Sequence, residues 1–211
     1  MGAGPVPVTD RGLFPAEHRA LRELHAMVRH LSGHWARLAQ RLGGEPAELL
    51  ERGAAAAREL QPELAERCAA RGLQVYPSAE GTGGRLAGLH GAGDLLLERN
   101  QALRAAVLDV QHVTTLLAYL AELAAARDDA ALAAWHRRWE VRLRDVEASA
   151  LAAAVALGRD PEGAIEPAAD SPLGRAGHAL AAGLGTLGES LDASPLGRAA
   201  RRLRGRAPSG H

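Results

Sequence analysis

The chain has 211 residues, enough for one well-buried core and an extension. Aromatics make up only 3% of it, while alanine, leucine, arginine and glutamate dominate, which favours helices over sheets. All 25 basic residues are arginine and 25 acidic residues balance them, so Schiff-base lysine chemistry and a Walker-type phosphate loop are excluded and no global field draws nucleic acid or membrane.

Residues 1–14 hold prolines and glycines but no apolar run preceded by positive charge. They read as a disordered start rather than a signal peptide. No stretch is apolar enough to span a bilayer, and the expectation is a soluble bacterial protein of the cytoplasm. Pro15 then suits the first turn of a helix, where its missing N–H costs nothing. Leu21, Leu24, Val28, Leu31, Trp35, Leu38 and Leu42 recur at alternating spacings of three and four, the seam of a long amphipathic helix. Glu17 falls on that seam in the first turn, where a carboxylate complements the helix dipole.

Gly43 and Gly44 stop the first helix, and Pro46 restarts the chain. A second helix uses Leu50, Ala57, Leu60, Leu64 and Cys68 and ends at Gly72, with Pro62 expected to kink or divide it. As the only cysteine, Cys68 permits no internal disulfide and reads as a small buried hydrophobe. Residues 73–93 lose all periodicity and hold six glycines. Asp94 has the character of an N-cap for a third helix carrying Leu96, Leu103, Ala106, Val110, Val113, Leu117 and Leu120. Asp128 and Asp129 mark a short turn. The fourth helix presents Leu132, Trp135, Trp139, Leu143, Val146, Ala150, Ala153 and Leu157, and Gly158 closes it. Trp35, Trp135 and Trp139 read as packing residues rather than a ligand cage.

The fold expected is therefore all-α: a four-helix bundle over residues 15–158 with a C-terminal helical extension. Short links make helices one and two, and three and four, antiparallel neighbours. The long connection allows helix three to run parallel to helix two, the one-crossover topology of ferritin-like bundles. That topology is placed ahead of a plain up-down bundle with a long loop. The stretch LDVQHVTTLLAYLAELAAARDDAALAAWHRRWEVRLRDVE resembles helices three and four of small bacterial ferritin-like proteins, among them stress-associated families with a glutamate–histidine pair in helix three.

In metal-bearing members of that superfamily, all four helices supply glutamates and two of them carry Glu-x-x-His. Here Glu59, Glu63 and Glu66 on helix two, and Glu140 and Glu147 on helix four, all lack the histidine three residues on. Gln111 stands where relatives carry a glutamate, and a neutral amide is a poor ligand for a hard cation. The resemblance implies the fold more than the chemistry.

Histidines supply the remaining metal candidates. His30 and His34 are four apart on one helical face, a workable ligand spacing, while His18 and His25 lie on the other flank of the leucine seam. Asp109 and His112 form the one carboxylate–histidine pair in the Glu-x-x-His register. The candidate set for iron or another divalent metal is thus His30, His34, Asp109 and His112. The plainer reading, preferred here, has no cofactor and leaves these side chains solvated or hydrogen-bonded.

Residues 159–170 read as an acidic, proline-containing linker, followed by a helical tail over 171–206 and a disordered end at 207–211. SPLGRA occurs twice, at 171–176 and 194–199, each copy a serine N-cap followed by proline. Between them Leu173, Leu180, Leu184, Leu187 and Leu191 form an apolar stripe suited to a protein partner or a second copy of the chain. Arg198, Arg201, Arg202, Arg204 and Arg206 offer an anion-binding end for nucleic acid or an anionic membrane surface. The favoured reading is a non-catalytic, ferritin-like protein that self-associates or docks a partner through this extension. The alternatives are a metal-binding oxidoreductase or stress protein with an atypical site, and an anion-binding adaptor acting through the arginine-rich tail.

Overall fold

The computed structural model describes residues 13–73 and 97–168. They form four long helices: α1 (Pro15–Leu42), α2 (Gly44–Ala69), α3 (Arg99–Ala126) and α4 (Ala130–Ala156). A 3₁₀ turn (Leu157–Arg159) and a short helix α5 (Pro161–Ala164) follow. No strand occurs among the described residues, and none of their helices is long and apolar enough to cross a membrane.

The leucine seams fold as their spacing predicts. Leu21, Leu24, Val28, Leu31, Trp35 and Leu38 of α1 are buried, as are Leu50, Ala57, Leu60, Leu64 and Cys68 of α2. Gly43 and Gly44 have φ of +63° and +60°, so two left-handed residues reverse the chain with almost no loop. Pro62 does not divide α2, which is continuous through Ala69. Pro62 and Arg58 both lie on the exposed face, so the Arg58 carbonyl that loses its intrahelical partner is open to water.

The third helix starts later than Asp94 suggests. It begins at Arg99, with Glu98 as N-cap; the Glu98 N–H donates to Gln101 Oε1 at 3.2 Å, and the Asn100 amide donates to Glu98 Oε2 at 2.8 Å. The α3–α4 turn runs through Asp128, at φ +62°, to Asp129, whose carboxylate caps α4 by accepting the Leu132 N–H at 3.0 Å.

α1 packs most closely on α2 and α3 on α4, and the two hairpins meet through α1 against α3 and α2 against α4. Arg127 reaches Glu17 at one end of the α1–α3 seam, and Arg99 donates to the Leu42 carbonyl at the other. These two helices are therefore antiparallel, which makes α2 and α3 run in the same direction. The end of α2 and the start of α3 thus lie at opposite ends of the helices, about 40 Å apart.

On the α2–α4 side, Gly53 lets the Trp35 ring approach the α2 backbone, with Val146 alongside. Nearby, the indole N–H groups of Trp135 and Trp139 donate to Glu63 Oε2 at 2.6 and 3.1 Å. Arg67 and Arg142 lie over the two rings, 4.5 and 4.9 Å from their centroids. The tryptophans thus pack and clip the hairpins together. At the end of the helices shared with Glu17, Arg71 reaches Asp129 at 3.1 Å, and Arg127 reaches both Asp129 at 3.3 Å and Glu17 at 3.1 Å. One alternating chain of charge thereby joins all four long helices.

Over its described part, the segment read as a linker is fastened to the start of α3. Leu97 and Arg99 pair with Ala168 and Glu166 through backbone hydrogen bonds of 3.0 and 2.9 Å. The Asn100 amide also donates to the Ala164 carbonyl at 2.8 Å, and Ala164 and Ala168 are buried. The tail over 171–206, with its leucine stripe and arginines, lies outside the described residues, as do the N-terminal segment before Leu13 and the 74–96 connector.

Candidate metal centre

The one cluster of metal-ligating side chains among the described residues sits between α1 and α3. Helical spacing places His30 and His34 one turn apart on the flank of α1 that faces α3, and α3 brings Asp109 to meet them. His34 donates its Nδ1–H to Asp109 Oδ2 at 2.8 Å, and His30 Nε2 lies 3.4 Å from the same oxygen. The two rings are 4.9 Å apart and tilted by 32°. His34 is 2% exposed, Asp109 5% and the His30 side chain 6%.

Such burial by itself pushes a carboxyl upward in pKa. The hydrogen bonds from His30 and His34, with their charge, outweigh it and hold Asp109 at about 2. Asp109 is therefore an anion at neutral pH, with two imidazole nitrogens aimed at one of its oxygens. All three potential ligand atoms lie within 4.8 Å of one another. Ligands about 2.0–2.1 Å from a tetrahedral ion sit roughly 3.3 Å apart, so small side-chain rotations would bring these three to coordination distance.

His112 does not join them. Three residues on from Asp109, it is turned by a further ~60° about α3, from the interior toward the rim of the seam. There its Nε2 meets Glu23 Oε1 at 2.8 Å, with both side chains about half exposed. Glu23 was not among the sequence candidates. The available signal was its place seven residues before His30, on the same flank of α1. Gln111 is exposed, and its carbonyl accepts the hydroxyls of Thr114 and Thr115. Glu17 is fully buried and does more than complement a dipole, because it pairs with Arg127 across the α1–α3 seam.

Two other reactive side chains are held inert. Burial pushes the Cys68 thiol up to about 11, against the opposing charge of Arg71. His136 is fully buried, packs edge-on against Trp135 and, among the described residues, has no hydrogen-bond partner at either ring nitrogen. Burial, with the positive charges of Arg67 and Arg71, lowers its pKa to about 3, so its imidazole is neutral. Compared with protein-family models, curated proteins and solved structures, the chain matches none.

Proposed function

We propose that this is a ferritin-like four-helix-bundle protein that binds one divalent transition-metal ion between its first and third helices. His30 Nε2, His34 Nδ1 and Asp109 Oδ2 are the ligands. The observation that carries the reading is the convergence of two imidazoles and an ionised carboxylate, from two helices, on one buried point. The bundle reading is supported by antiparallel packing of the adjacent helices and by α2 and α3 running in the same direction.

Two nitrogens and one oxygen suit iron(II), cobalt(II) or zinc(II) better than calcium or magnesium, which demand more oxygen ligands. Three protein ligands also leave at least one position for water or a small exogenous ligand, as in reactive rather than closed structural centres. The site is distinct in place and composition from a Glu-x-x-His arrangement. It uses a His-x-x-x-His turn on α1 and one aspartate on α3.

The test is anaerobic titration of the metal-free protein with cobalt(II), followed by visible absorption. One equivalent per chain should produce d–d bands, and zinc(II) should displace it. Asp109→Asn and His34→Ala should abolish the bands while far-UV circular dichroism stays helical. Wild-type protein that takes up neither ion would make the cluster a hydrogen-bonded clasp between two helices.

A second reading, association through the C-terminal extension, is favoured by apolar side chains left exposed on the way into it. Leu151 is 52% exposed and Val155 68% on the last turns of α4, with Ile165 following. Deleting residues 171–211 should then convert an associated species to a monomer in light scattering. An unchanged mass would remove the extension from that role.

A further inference from the structure

We infer that the Glu23–His112 pair is the capture site through which a divalent transition-metal ion enters the buried His30–His34–Asp109 centre; this rests on the metal-centre reading above. An ion in water holds its hydration shell tightly, and moving it through apolar packing without replacement ligands is prohibitive. Entry therefore needs polar donors at the surface beside the centre, and the α1–α3 seam supplies one such pair.

The register along the seam leads from one to the other. On α1, positions 23, 27, 30 and 34 follow one another at spacings of four, three and four, a single stripe on the flank that meets α3. Glu23 is 38% exposed at the outer end, Met27 is buried next, and His30 and His34 lie beyond it. On α3, His112 at 40% exposure stands one turn from Asp109.

Chemistry runs the same way. Glu23 and His112 offer one oxygen and one nitrogen 2.8 Å apart, the same donor types as the inner centre but one ligand fewer. Two ligands attract an ion and release it; three hold it. Between them, Met27 presents a neutral, flexible thioether, able to shift aside and weakly coordinating. At both ends of the seam the carboxylates are already matched by arginines. Arg127 pairs with Glu17 and Asp129 at one end, and Arg99 with Glu166 at the other. Between them, the exposed carboxylate of Glu23 faces a histidine rather than an arginine.

The experiment is stopped-flow loading of metal-free full-length protein with cobalt(II), followed by the d–d bands, for wild type and the Glu23→Gln/His112→Gln double variant. Both positions are half exposed, so the variant should keep its helices. Loading should slow by at least about tenfold. Release to excess chelator should slow by the same factor, leaving the dissociation constant unchanged, because a gate acts on both directions equally. Glu122→Gln, on the exposed face of α3, should load at the wild-type rate and so separate local capture from general attraction. Equal loading rates for wild type and the double variant would overturn the inference while leaving the centre intact. So would a weakened dissociation constant with unchanged loading, which would make the pair part of the resting site. A wild type that binds no metal would instead remove the centre, and the inference with it.

Discussion

Asp109 and His136 show two opposite ways of keeping an ionisable group inside a helical protein. Asp109 keeps its charge because two imidazoles meet it. Replacing it by alanine removes the carboxylate that both rings meet, and about 3–5 kcal/mol of stability should be lost in urea unfolding of the metal-free protein. Asp109→Asn retains the shape and one acceptor and should cost less. His136 does the reverse and stays neutral. Its pKa of about 3 in the folded chain compares with roughly 6.5 unfolded, so the unfolded chain binds the extra proton between those values. Stability should be full above pH ~6.5 and fall by up to about 1.4 kcal/mol per pH unit as acid is added toward pH 3. His136→Leu should flatten that part of the profile. Because it also removes two unsatisfied ring nitrogens, it should not destabilise the protein at pH 7.

At the scale of the helices, the leucine seams were legible because burial is periodic and leucine placement records it. Boundaries were less so. Asp94 had the chemistry of a cap, but Leu97 and Glu98 are still non-helical, and at Glu98 the bridge to Pro167 competes for the backbone. Pro62 looked like a break because sequence alone does not say that Arg58 and Pro62 share the wet face of α2. Gly53 gave no sequence signal, yet an added Cβ there would run into the Trp35 ring. Gly53→Ala should therefore cost about 1–3 kcal/mol despite its better helix propensity, with a shift in near-ultraviolet circular dichroism as Trp35 is displaced. The candidate centre was half legible for a related reason. His30 and His34 share a helix, so their spacing can be read directly. Their partner depends on which flank of α1 meets α3, and that is a property of hairpin docking. The same gap hid Glu23 and misplaced His112.

For the whole molecule, a metal held between α1 and α3 would cross-brace the two hairpins, so its binding energy is stability. Free cobalt(II) or zinc(II) at about 100 times its dissociation constant should raise the unfolding free energy by about 2.7 kcal/mol. In calorimetry this appears as a rise in Tm of several degrees that a chelator reverses, and Asp109→Asn should show none.

The Glu17–Arg127–Asp129–Arg71 chain at the Glu17 end of the helices bears on which helices become neighbours. Two hairpins of this kind can dock with α1 facing α3 or with α1 facing α4, and apolar seams discriminate poorly between the two orders. In the opposite order Glu17 would sit beside Asp129 and Arg71 beside Arg127, like charge against like. The four residues thus act less as a source of stability than as a key that admits one pairing of helices and rejects the other. Exchanging the charges in Glu17→Arg/Arg71→Glu should blur that choice, and the tryptophan signals should then melt over a broader range than the helical signal.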